Sequence, residues 1–122
     1  MSPAVTVQLQ TADSFARALR PLRVAGLVRL DDAEAAALAA AVDGIATESV
    51  ELFGSRTDPA GRGGDIDLLI LTPAPRLETA RQVSSRFFMH CEERIDVVVL
   101  DPSRLTPAED AFVRSLRRVR IT

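Results

Sequence analysis

A short apolar run, a glycine-rich loop and a second apolar run constrain the fold of this chain more than any other feature of its sequence. Ser49–Phe53 has the length of a strand and leads directly into Gly54-Ser55. The loop Thr57–Gly64 contains a proline and three glycines, which predicts a flexible connection. Asp67–Leu71 is almost entirely apolar, as in a strand covered on both faces. We therefore expect this second run to lie in the interior of a β-sheet.

Two aspartates stand at the head of the second run. Residues i and i+2 of a strand point to the same face, so Asp65 and Asp67 should project side by side while Ile66 packs into the core. Two adjacent carboxylates repel each other unless a cation lies between them. The pair therefore predicts a site for a hard divalent ion such as Mg²⁺. Without further context, an Asp-x-Asp pair would be interpreted as two ordinary strand-end carboxylates.

The upstream Gly54-Ser55 pair provides that context. A glycine-serine turn can present backbone N–H groups and a hydroxyl to a phosphate that a carboxylate-bound magnesium ion would also touch. Gly-Ser followed by Asp-x-Asp therefore has the outline of a nucleotide triphosphate site. Arg56 is a candidate for neutralising the triphosphate charge, with a solvent-facing salt bridge as the alternative.

Periodicity, caps and breakers predict the remaining elements. They are a short edge strand Val5–Leu9, a helix capped by Thr11 or Asp13 and closed by Pro21, a helix capped by Asp31 that runs to Val42 and ends near Gly44, a helix from Leu77 to about Cys91, a strand Ile95–Leu100, a helix opened by Thr106 that runs to about Leu116, and an edge strand Arg118–Ile121. This order predicts an α/β (α+β) fold, in which helices pack mainly on one side of a mixed β-sheet.

Size and composition narrow the class of protein. At 122 residues we expect one domain, 1–122, without a separate nucleic-acid-binding domain, and the net charge of −2 provides no strong field for nucleic acid. The single cysteine, Cys91, excludes an internal disulfide and suits a reducing cytoplasm. No run approaches the ~20 apolar residues that cross a bilayer, and the N-terminus lacks the pattern of a signal peptide. We expect a cytoplasmic protein that does not contact membranes.

The motif residues resemble a known signature. Gly54-Ser55-Arg56 followed by Gly63-Gly64-Asp65-Ile66-Asp67-Leu68 resembles that of the DNA polymerase β-like nucleotidyltransferase superfamily, in particular its minimal nucleotidyltransferases from prokaryotic toxin–antitoxin pairs. The resemblance covers roughly residues 31–122 and leaves 1–30 as an N-terminal extension. Many members have serine before the first aspartate, where this chain has Gly64, but the Gly-Gly version resembles a subgroup of the short enzymes.

The family pattern also includes a third carboxylate on a neighbouring strand, and Asp96 supplies one. A charge in that apolar strand is expensive unless it is paired or bound to metal. The resemblance implies two Mg²⁺ ions, with Mn²⁺ as an alternative, bridged by Asp65 and Asp67. It further implies that Asp96 holds the second ion and accepts a proton, and that Ser55 and the amides around Gly54 grip the phosphates.

The implied activity is transfer of a nucleoside monophosphate, as AMP from ATP, to a hydroxyl of a partner protein. In the minimal family the acceptor is commonly a tyrosine on a companion HEPN-type toxin, so the chain would serve as the antitoxin. Two other classes stay open: a non-catalytic antitoxin that neutralises its partner by binding alone, and an enzyme acting on RNA ends or small-molecule antibiotics. The preferred base, the acceptor and any homo-oligomer also stay open.

Several further residues have a plain interpretation beside a functional one. Asp101 before Pro102 is interpreted as a turn residue, His90 as a helix C-terminal histidine, and Cys91 as a core thiol. Arg62 is an alternative contact for phosphate. A C-terminal group of arginines predicts a solvated face, with docking of an acidic partner or RNA as the alternative: Arg114, Arg117, Arg118 and Arg120.

Overall fold

The computed structural model describes residues 6–122, so Val5 of the predicted first strand lies outside the described residues. In chain order the elements are β1 (Gln8–Leu9), α1 (Ala12–Val24), α2 (Asp32–Val42), β2 (Ala46–Thr47), β3 (Ser49–Phe53), a 3₁₀ turn (Gly54–Thr57), β4 (Ile66–Leu71), α3 (Arg76–Phe88), β5 (Ile95–Leu100), α4 (Pro107–Ser115) and β6 (Arg118–Arg120).

The main sheet has four strands in the order β5-β4-β3-β6. β4 pairs in parallel with β5, whereas β3 pairs antiparallel with both β4 and β6. The short strands β1 and β2 form a separate antiparallel pair. The predicted mixed α+β architecture is confirmed at this level. β4 lies inside the sheet, as its apolar sequence predicted.

Alternation along the strands sends side chains to two different faces of this sheet. Ile66, Leu68 and Ile70 of β4 join buried residues of α1, α2 and α3 in the larger apolar cluster. Leu69 joins a smaller cluster with Val113 of α4 on the opposite face. Asp67 shares the parity of Leu69, so it faces the α4 side of the sheet.

The structure confirms Asp31 and Thr106 as cap residues and selects Thr11 over its alternative, Asp13, for α1. Thr11, Asp31 and Thr106 each accept a hydrogen bond from the backbone N–H three residues later and form reciprocal capping boxes. The prediction that Pro21 closes the first helix is wrong, because α1 continues to Val24 with Pro21 inside it. Pro21 loses only one backbone hydrogen bond there, and its ring is exposed near the helix end, so the last turn still forms.

α3 differs from its sequence prediction at both ends. It begins at Arg76 and ends at Phe88, three residues before the predicted end at Cys91. Leu77 fits the apolar period of this helix but is 70% exposed, because the helix directs Val83 and Phe87 into the core instead. Among the described residues, no helix is long and apolar enough to cross a membrane.

Candidate active site

The strand pairing brings Asp67 and Asp96 side by side. They are Cα partners in the parallel pair β4–β5, one residue into each strand, and both have the parity of the α4 face. Their carboxylates are close enough to hydrogen-bond when one of them is protonated. Asp65 lies immediately before β4 and adds its negative charge to the same region. The structure therefore pairs Asp67 with Asp96 and places Asp65 near enough to act on Asp67 through its charge.

The electrostatics of Asp67 show the effect of this crowding. Partial burial raises the pKa of Asp67, and the negative charges of Asp96 and Asp65 raise it further. None of the three carboxylates forms a salt bridge with an Arg or His side chain among residues 6–122. The negative charge of these three carboxylates is thus not neutralised by any salt bridge within residues 6–122.

Asp96 differs from its prediction in one respect. Its position in an apolar strand predicts a buried charge, but the Asp96 side chain is exposed. Ile95 and Val99 lie in the apolar core on the other face of the strand. Asp96, near the start of the strand, points away from them. An aspartate at this exposed position carries no burial cost that would require a compensating partner.

Two glycines allow the site segments to approach each other closely. Gly54 has φ of +76°, and a Cβ atom at this position would collide with Oδ2 of Asp67. Gly64 has φ of +89°, and a Cβ atom there would collide with Oγ of Ser55. The Gly54-Ser55 turn therefore packs against Asp67 through Gly54 and against Gly64, at the end of the loop, through Ser55. Glycine is required at both positions for space as well as for backbone conformation.

In the Gly54-Ser55 turn, the Ser55 hydroxyl is available to a phosphate, whereas the Gly54 N–H is not. Ser55 is exposed and directly follows Gly54, the residue that packs against Asp67. The N–H of Gly54, in contrast, donates to the Arg117 carbonyl at 3.2 Å, so the predicted phosphate contact through this amide is not supported. The same hydrogen bond fixes the start of β6 against the turn.

Arg56 requires a correction, since it was predicted to contact the nucleotide or to form a solvent-facing salt bridge. Its side chain is buried, with only 5% of the residue exposed, and it donates to both carboxylate oxygens of Glu34 at 2.9 and 2.8 Å. It also donates to the carbonyls of Arg29 and Gly64. Because these partners occupy most of its N–H groups, Arg56 fixes the loop from inside and has little capacity left for phosphate.

The pKa values of this buried pair agree with an ionised state for both partners. Burial alone would raise the pKa of Glu34, but hydrogen bonds from Arg56 and from the Asp31 N–H lower it below its ordinary value. The hydrogen bond to Glu34 raises the pKa of Arg56. Glu34 also closes the capping box of α2, so one carboxylate joins a helix start to the site loop.

Arg29 is a site-organising residue that the sequence reasoning missed. Its Nε donates to the Asp58 carbonyl at 2.7 Å, and its terminal nitrogen donates to the carbonyls of Ser55 and Gly63 at 2.8 and 3.2 Å. These contacts tie both ends of the predicted flexible loop to one guanidinium. No local pattern around Arg29 signals this role, because its partners lie 26 to 34 positions away in the chain.

The remaining candidates have the plainer roles. Asp101 accepts hydrogen bonds from the hydroxyl and the N–H of Ser103, which lower its pKa, so it is a turn residue. Cys91 is partly buried against the core, and His90 is exposed just after α3. Arg62 is exposed on the loop. In the C-terminal arginine group, Arg118 pairs with Glu51 at 3.1 Å and Arg114 with Asp110 at 3.1 Å.

The carboxylates suit a hard divalent cation by their chemistry. Carboxylate oxygens are preferred ligands of Mg²⁺, and a cation would relieve the repulsion that raises the Asp67 pKa. As they stand, no three acidic, His or Cys side chains among residues 6–122 already have the arrangement of a metal site. Asp67 and Asp96 are already adjacent. For all three carboxylates to share one ion, the exposed side chains of Asp65 and Asp96 would have to rotate towards it.

Comparisons of this chain with models of known protein families, with curated proteins and with solved structures found no match.

Proposed function

We propose that this chain is a magnesium-dependent nucleotidyltransferase with a polymerase β-like fold, which transfers AMP from ATP to a hydroxyl of a partner protein. The observation that carries the proposal is the uncompensated pair Asp67–Asp96, with Asp65 beside it, packed against a glycine turn that presents Ser55. Clustered carboxylates without protein cations, next to a glycine turn that presents a serine hydroxyl, suit metal-assisted phosphoryl chemistry.

Each residue has a distinct role in this proposal. Asp65, Asp67 and Asp96 would hold Mg²⁺, which when bound neutralises phosphate charge and favours in-line displacement. The Ser55 hydroxyl donates a hydrogen bond to a phosphate oxygen. Asp96, the more exposed partner of Asp67, accepts the proton of the attacking hydroxyl. The acceptor oxygen bonds to the α-phosphorus, the bond to the bridging oxygen breaks, and pyrophosphate leaves.

The acceptor must approach from the open side of the site. A reacting oxygen has to come within about 3–3.5 Å of the phosphorus, so a protein acceptor must dock beside the exposed Asp65 and Asp96. The chain contains no tyrosine, so an acceptor tyrosine has to belong to another molecule. We propose a HEPN-type toxin produced with this chain as that partner, which would make the chain an antitoxin.

Labelling with α-³²P-ATP tests the proposal. The purified chain with MgATP should label itself weakly or not at all, whereas addition of the product of the neighbouring gene should give strong labelling of that partner. Asp96→Ala should abolish the label and leave complex formation intact. Asp101→Ala is the matched control, because it removes a carboxylate from the other end of the same strand.

One result would replace the enzyme by a binding antitoxin. If wild type and Asp96→Ala neutralise the toxin equally well and no label is transferred with Mg²⁺ or Mn²⁺, the chain acts as a scaffold and the proposed transferase activity is wrong.

A further inference from the structure

An aromatic ring on α4, near the candidate active site, is exposed to solvent and contributes little to the core. Phe112 of α4 is 40% exposed. The next residue, Val113, is the buried contact of this helix and packs with Phe53, Leu69 and Leu100. Phe112 contributes a single aromatic contact, edge-to-face with Phe53, with ring centroids 6.2 Å apart and an interplanar angle of 88°.

That contact places Phe112 one side chain away from Asp67. Phe53 is the last residue of β3 and the Cα partner of Asp67 in β4, so the two side chains lie next to each other on the α4 face. Directly opposed residues of antiparallel strands have Cβ atoms about 4.5–5.5 Å apart. The residue after Phe53 is Gly54, whose N–H is held by Arg117 just beyond α4. The C-terminal half of α4 is therefore anchored at the Gly54-Ser55 turn.

The chemistry of a nucleotide matches this arrangement of charge and ring. A nucleoside triphosphate has a charged chain at one end and a flat aromatic base at the other, separated by a sugar. The carboxylates and Ser55 suit the phosphate end, and an exposed aromatic ring a short distance away suits the base. Every base has an aromatic face, so stacking recognises nucleotides without selecting strongly among bases.

We infer that Phe112 is the stacking platform for the nucleobase, so that this site takes nucleoside triphosphates and discriminates against inorganic polyphosphate. This inference rests on the proposed function, because it assigns the base end of the same substrate. Stacking on one aromatic side chain corresponds to a change in affinity of about 5- to 150-fold on truncation. Purines, with their larger rings, should bind more tightly than pyrimidines.

Binding measurements with two ligands separate the base from the phosphates. Dissociation constants for MgATP and for magnesium tripolyphosphate are measured by calorimetry on wild type, Phe112→Ala, Phe112→Leu and Phe112→Trp. Both Phe112→Ala and Phe112→Leu should weaken MgATP by about 5- to 150-fold and change tripolyphosphate less than about twofold. Phe112→Trp should preserve MgATP affinity. The leucine variant keeps apolar volume, so its loss of affinity reports stacking and not packing.

Phe88→Ala is the matched control. Phe88 is 52% exposed and also packs edge-to-face on a neighbouring phenylalanine, Phe87, at 6.0 Å. Phe87 belongs to the cluster on the opposite face of the sheet, so this variant should bind both ligands like wild type.

The two possible failures are distinguishable. If tripolyphosphate and MgATP bind and Phe112→Leu leaves MgATP affinity unchanged, the stacking role is wrong while the proposed phosphate and metal site stands. If wild type binds neither ligand with Mg²⁺ or Mn²⁺, the proposed function fails and the inference fails with it.

Discussion

Replacing Asp67 by asparagine should stabilise the protein when no divalent cation is present. Asp67 and Asp96 are neighbours across a parallel strand pair, and no salt bridge compensates their charges among residues 6–122. Two like charges about 4 Å apart repel by about 1 kcal/mol in water and about 4 kcal/mol near a protein surface. Because Asp96 is exposed and screened by solvent, we expect a gain of about 1–2 kcal/mol in the free energy of unfolding.

The gain should be visible as a shift in melting temperature. For a domain of this size it corresponds to a rise in Tm of about 3–10 °C. The assay is thermal unfolding followed by circular dichroism at pH 7 in EDTA, with wild type and Asp67→Asn side by side. Mg²⁺ should then narrow the difference, since it binds the wild-type carboxylates and stabilises the folded state.

The pH dependence of this difference has a definite sign. The pKa of Asp67 is raised in the folded state, so between the unfolded and folded pKa values the folded protein binds more protons than the unfolded chain. The stability of the wild type therefore falls as pH rises from about 4 through the raised pKa. Asparagine does not titrate, so the advantage of Asp67→Asn should be small at low pH, grow over this window and then stay constant.

Asp101→Asn serves as the control of opposite sign. Hydrogen bonds from Ser103 lower the pKa of Asp101, so its ionised form favours the folded state and its replacement should not stabilise the protein. A lower Tm for Asp67→Asn than for wild type in EDTA at pH 7 would refute the repulsion argument. It would mean that the Asp67 carboxylate makes a net stabilising contact.

Three further predictions concern Arg56, its partner Glu34, and Arg29. Arg56→Ala should cost about 3–5 kcal/mol in chemical denaturation because it leaves Glu34 buried without its partner, whereas Arg62→Ala, an exposed loop change, should stay near wild type. The pKa of Glu34 is lowered in the folded state, so the stabilisation that it contributes should be present above about pH 4.5 and be lost as the pH falls through the lowered pKa. Acid unfolding measures this loss, and Glu34→Gln should make the free energy of unfolding fall less steeply with falling pH. Arg29→Ala should raise amide hydrogen exchange in residues 58–64, and MgATP should restore part of the protection; equal exchange in wild type and variant would show that the three carbonyl contacts do not order the loop.

The sequence was most informative where structure depends on nearby residues. β3 and β5 have their predicted bounds, because short apolar runs bounded by glycine, proline or charge specify strands locally. The cap residues Asp31 and Thr106 were predicted for the same reason, since the donor and acceptor of a capping box are three residues apart. The outward direction of Asp67 beside the buried Ile66 also follows from local alternation alone.

Local patterns failed where a distant partner decided the outcome. Pro21 does not end α1, because a proline in the last turn removes one hydrogen bond while Phe15 and Leu19 still anchor the helix. Leu77 fits the apolar period of α3 and yet is exposed, because the boundary of the core depends on the neighbouring elements. The loop Thr57–Gly64 has a flexible composition, but Arg29 donates hydrogen bonds to carbonyls near both of its ends.

The sequence by itself determined the candidate residues of the site: the glycine turn, Ser55 and three carboxylates in strand contexts. Only the tertiary structure decided how they are used. Parallel pairing of β4 and β5 set Asp96 against Asp67, and a contact across 22 positions turned Arg56 from a candidate phosphate ligand into the buried partner of Glu34. Side-chain type and local period are encoded within a few residues, whereas the partner of a charge depends on which distant segments the chain packs together.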